Sequence, residues 1–297
     1  MRICIIGGTG HIGENLVKML LAEKFQVFVV TRGNRPVPAH QNIRFIKKTY
    51  DSNVDEWRNL FDEIKPEIII DILGGSAPIL YNAGRLYCKH FIVCGSIWMF
   101  GEAKVVPTPE NTQSPCIFAG YARRYNDMLK LKDEARMDGV KFTAIMPPNI
   151  CGPGKIPLDC YGSRDIEHHR QHMGGKPVPL PEPGQTLIGP CDAEDVATGF
   201  YLSVLNPEMA ADEIFNVGSA YAITAKQFVE HTEKSTELKF LLNGSAGRNT
   251  VRKSTPIKVP IFILKPICVL TFQKSQRNLA ISQNTHLKKQ WKGQFTG

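Results

Sequence analysis

The stretch Ile3-Cys4-Ile5-Ile6-Gly7-Gly8-Thr9-Gly10-His11-Ile12-Gly13 constrains this chain more than any other. A short apolar run enters a glycine-rich turn, and apolar residues at helical spacing follow at Leu16, Val17, Leu20 and Leu21, which predicts strand, turn and helix in that order. That order suits a loop that cradles a dinucleotide. Gly7 permits the tight turn, Gly10 lets the backbone approach a pyrophosphate, and Gly13 lets the helix pack close to the strand, while the helix N-terminus offers free N–H groups to the phosphates. Thr9, His11 and Ile12 complete the loop and are cofactor-binding candidates with the three glycines.

At 297 residues the chain is long enough for one large or two modest domains. Met1 and Arg2 run directly into the first strand, with no space for a leader, and no uninterrupted apolar run reaches the ~18 residues of a spanning helix. A cytoplasmic protein without a membrane segment is expected. Eight cysteines without a Cys-x-x-Cys pair read as reduced thiols. The net charge of +8 is unevenly placed, because residues 238–297 hold eleven Lys or Arg and no acid, whereas residues 1–237 carry 25 basic and 28 acidic side chains. A polyanion partner is one reading of that asymmetry and a solvated surface the other, which the sequence favours.

The second strand, Gln26–Val30, ends in Thr31-Arg32-Gly33-Asn34-Arg35. A carboxylate at this place would accept the ribose 2′-OH of NAD; arginine there suits the 2′-phosphate of NADP. NADP(H) is therefore favoured over NAD(H), with Arg32 as the first contact and Arg35 as the second. A third strand at 42–46 leads to Asp51, a residue placed either at the adenine edge or in a turn. Val54, Trp57, Leu60, Phe61 and Ile64 mark a helix that Pro66 ends, and the apolar run 67–73 reaches Gly74-Gly75, where the backbone can pass close to a ligand. Apolar strands at 90–94 and 140–146, with a helix over 121–137 between them and little period-two alternation, predict a parallel sheet covered on both faces.

Beyond Gly154 the composition shifts to Pro-rich turns and polar segments. His168 and His172 stand one helical turn apart beside His169, but nothing in the sequence completes a metal site, and none is expected. Thr224 and Gln227 form a capping box, and the apolar stretch 259–272, broken by Lys265 and Pro266, is too short to span a bilayer. The expected fold is α/β, a Rossmann-type doubly wound parallel sheet over 1–154, with a smaller substrate-binding region and basic segment over 155–297 from which 186–217 returns to the core.

Taken with the glycine loop, four further stretches make the chain resemble the extended short-chain dehydrogenase/reductases of the NAD-dependent epimerase/dehydratase family. Gly95-Ser96-Ile97-Trp98-Met99-Phe100-Gly101 is similar to that family's Ser-Ser-x-x-Val-Tyr-Gly, and Pro148-Asn149-Ile150-Cys151-Gly152-Pro153-Gly154 to its Pro-x-Asn-Val-Tyr-Gly-Pro-Gly. Asp195-Val196-Ala197 and Phe215-Asn216-Val217-Gly218 match its Asp-Val-Ala and Tyr-Asn-Val-Gly. The resemblance implies that Ser96 orients a substrate oxygen, that Tyr121 gives or takes its proton, and that Pro148 and Asn149 approach the cofactor. The family's lysine, one turn after the tyrosine, is replaced by Tyr125.

That replacement has a physical consequence. A phenol with a pKa of ~10 is about one part in a thousand ionised at neutral pH, so a tyrosine base needs a nearby cation. Arg124, three residues after Tyr121, is the candidate. Two functions from different classes follow. One is an oxidoreductase, epimerase or dehydratase acting on a hydroxyl or carbonyl carbon of a sugar-like or nucleotide-linked substrate. The other is a catalytically impaired NADP(H)-binding regulator or RNA-binding protein that uses the basic tail. A small-molecule substrate, and a homodimer paired through the helix at 120–138, are the partners the resemblance implies.

Overall fold

The computed structural model describes residues 1–35, 39–51, 53–105, 107–112, 114–153, 155–180, 184–218, 222–236 and 242–243. Apart from residues 242–243, the basic tail lies outside these, as do the apolar stretch 259–272 and Gly154 of the Pro/Gly loop. The chain begins with β1 (Arg2–Ile6), α1 (Gly13–Ala22), β2 (Gln26–Thr31) and β3 (Ile43–Lys47). It continues through α2 (Val54–Ile64), β4 (Ile68–Asp71), α3 (Ala77–Gly84), β5 (His90–Cys94), α4 (Ala119–Met137) and β6 (Lys141–Met146). Then come β7 (Asn149–Cys151), α5 (Ile166–Met173), β8 (Val178–Pro179), β9 (Leu187–Ile188), β10 (Pro190–Asp192), α6 (Ala193–Leu205), α7 (Pro207–Ala210) and β11 (Glu213–Asn216). The last described elements are β12 (Ile223–Thr224), α8 (Ala225–Thr236) and β13 (Leu242–Asn243).

Seven strands form one parallel sheet in the order β11-β6-β5-β4-β1-β2-β3. The strand order reverses between β1 and β4, and a crevice opens there at the strands' carboxyl ends. Both faces are covered, which is why the strands read as continuous apolar runs. Cys4, Ile6, Phe28, Phe91 and Phe142 pack on one face with Trp57 and Phe61 of α2, Leu80 and Tyr81 of α3, and Leu131 of α4. Ile3, Ile5, Val27, Val29 and Ile92 point the other way, against Leu16 and Leu20 of α1 and Val196, Phe200 and Val204 of α6. Each such large apolar side chain stabilises the fold by roughly 1.5–3 kcal/mol relative to exposure.

Local chemistry sets the ends of several elements. Asn53 caps α2 by accepting from Glu56 N–H at 3.2 Å, and Lys65 turns left-handed (φ 44°) just before Pro66. The Thr224–Gln227 capping box forms in both directions, at 3.1 and 2.9 Å. A third, smaller cluster of Leu158, Val178, Ile188, Phe228 and Val229 holds together the segments after β7. Part of the Pro/Gly loop is a strand where the sequence predicts only a loop: β7 pairs in parallel with β10, a partner 41 residues on that no local pattern announces. Among the described residues no helix is long and apolar enough to cross a membrane.

Candidate functional site

The loop from β1 to α1 is built as tightly as backbone allows. Gly7 adopts φ +91°, a region closed to most side chains, and its carbonyl accepts the Gly10 N–H at 2.9 Å. A Cβ on Gly13 would stand 2.5 Å from the Gly7 oxygen and 2.5 Å from Gly8 Cα, so α1 rests directly on the turn. Gly8 is equally constrained, because a Cβ there would meet Val29 at 2.7 Å. Nothing local in the sequence marks Gly8, since its constraint comes from β2. Thr9 joins its hydroxyl to that of Thr31 at 2.8 Å, tying the loop to the end of β2.

The two arginines after β2 divide. Arg35 donates to the Thr9 carbonyl at 3.3 Å and pairs with Glu14 at 3.1 Å, so it braces the loop. Arg32 is exposed and has no hydrogen bond or ion pair among the described residues. Asp51 accepts the Asn53 N–H at 3.1 Å and lies 3.7 Å from Lys48.

At the carboxyl end of β4, Asp71 is fully buried. One of its oxygens accepts the N–H groups of Leu73 at 3.1 Å and Gly74 at 2.9 Å; the other accepts the Tyr50 hydroxyl at 2.9 Å. Tyr50 oxygen in turn accepts the Ser76 N–H. The outer side of the same turn is held by Arg124, whose Nε and Nη2 donate to the Gly74 and Leu73 carbonyls at 3.0 and 3.3 Å. Gly74 is needed where φ is +62° and a Cβ would lie 2.2 Å from the Cys94 oxygen. Neither Asp71 nor Tyr50 figures in the sequence reading, although an acid ending the run Ile68-Ile69-Ile70 is a signal that could have been read.

Burial pushes the Asp71 carboxyl up to about 6, against the pull of the Gly74, Tyr50 and Leu73 hydrogen bonds and of Arg124. The folded protein therefore keeps a proton that the unfolded chain releases near its ordinary value of 3.8. That contribution to stability is complete below about pH 4 and is lost as pH rises through about 6. In Asp71→Asn the amide oxygen can still accept both backbone N–H groups. Relative to wild type, this variant should gain up to about 3 kcal/mol between pH 4 and 7 in urea unfolding. Parallel pH profiles for the two proteins would contradict this reading of Asp71.

Ser96 and Tyr121 are brought to one cavity of about 390 Å³, shared with Ile12 of the glycine loop, Pro148, Asn149, Trp98, Arg124 and Arg164. Ser96 follows β5 and its Oγ also accepts the Trp98 N–H at 3.3 Å, so it caps the turn beyond it while facing the cavity. Tyr121 projects from the first turns of α4. Its ring lies 5.9 Å from the Arg124 guanidinium carbon and meets Phe118 edge-on at 6.2 Å. Asn149 donates to the Gly162 carbonyl at 3.0 Å. Tyr125 is not in the cavity wall; it packs edge-on against Phe100 at 5.6 Å and joins the core. Arg164 was missed in the sequence, where it sits in an irregular stretch without periodicity.

His11 turns away from the turn's backbone toward Gly152 and Asp192. Its Nε2 is closed off from solvent without a hydrogen bond of good geometry. Burial pushes its pKa down, with the Gly152 backbone opposing and the charges of Arg164 and Lys155 adding to the depression. His168 and His172 stack at 6.1 Å on α5, and His168 Nδ1 lies 3.5 Å from buried Asp159. Among the described residues no cluster of three metal-ligating side chains is found.

Comparisons with known proteins fit this architecture. The chain is 28% identical over 242 residues to the chloroplast stem-loop binding protein of 41 kDa b of Arabidopsis thaliana, which covers 75% of this chain and 60% of that one. It is 26% identical over 117 residues to the 2'-dehydrokanamycin reductase of Streptomyces kanamyceticus, covering 39% of this chain and 33% of that one. The match thus spans about 60% of the length of the first relative and a third of the second. Among solved structures, UDP-glucose 4-epimerase of Thermotoga maritima with UDP-glucose superposes with a TM-score of 0.68 at 20% identity, over 93% of this chain and 92% of that one. The UDP-glucose 4-epimerase of Brucella ovis in complex with NAD gives 0.62 at 18% identity, over 83% and 86%. Residues 3–82 and 72–218 match the family described as NAD dependent epimerase/dehydratase, and the chain belongs to that family.

Proposed function

We propose that this protein is an NADP(H)-dependent oxidoreductase acting at a hydroxyl or carbonyl carbon of a sugar-like or nucleotide-linked substrate. The observation that carries this reading is the single cavity in which Ser96 and Tyr121 meet Ile12 of the glycine loop. The residues present suit a dinucleotide. The loop is glycine wherever a Cβ would collide with backbone or with β2, and the N–H groups of His11 and Ile12 have no partner among the described residues. These groups, at the N-terminus of α1, would hold the pyrophosphate. Arg32 would take the 2′-phosphate. When bound, the nicotinamide supplies the hydride donor or acceptor.

The chain's own groups handle the rest. Ser96 donates a hydrogen bond to the reacting oxygen and fixes its position, and Tyr121 exchanges the proton with that oxygen. With Tyr125 at the family's lysine position, the cation beside the Tyr121 ring is Arg124, 5.9 Å from its centroid. It is held in place by two backbone carbonyls and does not itself move a proton.

Cofactor choice is tested by Arg32→Ala. A charge-assisted hydrogen bond is worth about 1.5–3 kcal/mol, so NADPH affinity should fall roughly 10- to 100-fold while NADH affinity stays within twofold, as measured by titration of nucleotide fluorescence. Equal loss for both nucleotides would overturn the assignment of Arg32 to the 2′-phosphate.

The likeness to a stem-loop binding protein favours a second reading, in which the cofactor site regulates binding of RNA by the basic residues 238–297. Binding of that kind weakens steeply as salt rises. A truncation at residue 237 would abolish it and leave the nucleotide site unchanged.

A further inference from the structure

The turn Ile97–Phe100 after β5 and the head of α4 bring three rings into one row. Trp98 meets Phe118 edge-on at 5.8 Å, and Phe118 meets Tyr121 edge-on at 6.2 Å. Trp98 and Tyr121 both line the Ser96 cavity, so the row leads toward the phenol. Its outer members are not packed away. Trp98 is 44% exposed and Phe118 47%, with Ile117 next in the chain at 88%, whereas Trp57, Phe61, Phe91 and Phe142 are fully buried. An edge-on contact occupies at most one face of the two rings, which leaves flat apolar surface open on this ledge. Clustered apolar surface of that kind beside a cavity suits an apolar ligand, because covering it removes it from water.

The ledge is also held in place from its backbone. The Trp98 N–H donates to Ser96 Oγ at 3.3 Å, and the Trp98 carbonyl accepts the Gly101 N–H at 3.3 Å and the Cys116 thiol at 3.2 Å. The Phe118 carbonyl accepts the Ala122 N–H at 3.0 Å, the first bond of α4. A ligand that lands on these rings has little backbone left to order.

We propose that the substrate carries a planar aromatic group, which lies on the Trp98–Phe118 ledge while the hydroxyl or carbonyl carbon beside it reaches Ser96 and Tyr121. This rests on the reading of that cavity as the substrate site. The nicotinamide is a second flat ring, so the test is made on protein already saturated with NADP⁺. Phenyl β-D-glucopyranoside and methyl β-D-glucopyranoside, which share the sugar and differ in the flat ring, are titrated by calorimetry.

Wild type should bind the phenyl glycoside at least about tenfold more tightly than the methyl glycoside. Trp98→Ala should bring that preference below about threefold, and Trp98→Phe, which keeps a flat face, should retain most of it. Phe118→Leu, which keeps the bulk without the ring, should also lower it, and this variant carries the test if Trp98→Ala does not fold. All three should bind NADP⁺ within about twofold of wild type. The proposal is overturned if wild type binds the two glycosides equally or neither of them, or if Trp98→Ala or Phe118→Leu keeps the full preference. It is also overturned if these variants weaken NADP⁺ itself, which would assign the ledge to the cofactor. Failure of wild type to bind NADP⁺ at the outset would instead strike the function proposed for the whole site.

Discussion

Gly13→Ala is expected to reduce dinucleotide affinity at least 100-fold and to destabilise the fold by about 1–3 kcal/mol. The added methyl would stand 2.5 Å from the Gly7 oxygen, 2.5 Å from Gly8 Cα and 2.6 Å from Gly8 carbonyl carbon. All three are backbone atoms, so no side chain can swing aside, and relief requires α1 to move off the turn. Such a movement carries the N–H groups of His11 and Ile12 out of register with a pyrophosphate. Gly120→Ala is the matching control. Its Cβ would meet nothing within 4 Å, and it lies in the first turn of α4, so it should be neutral or stabilising by up to about 1 kcal/mol. Urea unfolding and NADPH titration of the two variants check both statements. Retention of full affinity by Gly13→Ala would mean that the loop does not hold the cofactor.

Tyr121→Phe carries the second large effect. Removing a general acid–base group typically lowers turnover by 10²–10⁴-fold, and that is the loss expected here, on any carbonyl substrate that consumes NADPH in a screen. The ring contacts to Phe118 and Arg124 persist in phenylalanine, so stability and NADPH affinity should stay close to wild type. Tyr125→Phe provides the contrast. Its ring packs on Phe100 outside the cavity, and turnover should be unchanged. Full activity in Tyr121→Phe, or a large loss in Tyr125→Phe, would reverse the roles given to the two tyrosines.

Much of the fold could be read in the sequence because its signals are local. The isoleucine-rich run before Gly7, the helical spacing of Trp57, Leu60, Phe61 and Ile64, and the apolar strand 90–94 each report burial on one or both faces, and burial is what places them. Motif chemistry carried Ser96, Tyr121, Pro148 and Asn149 to the same cavity. What stayed hidden depends on partners distant in sequence. Gly8 is constrained by Val29, Asp71 is satisfied by Tyr50, β7 is made a strand by β10, and Arg164 reaches the cavity from a stretch with no period. Arg35 illustrates the same limit. Its residue type suits a phosphate, and the contacts it makes with Glu14 and the Thr9 carbonyl could not be read from the sequence.

A cofactor site at the head of α1 is checked by thermal unfolding of the wild-type protein with NADP(H), with NAD(H) and without nucleotide. A ligand that binds only the folded state adds about 2.7 kcal/mol at 100 times its dissociation constant. The expected result is a clear rise in Tm with NADP(H) that exceeds the rise with NAD(H) at equal concentration. No rise with either nucleotide would contradict a cofactor site there and turn attention to residues 238–297 and a polyanion partner.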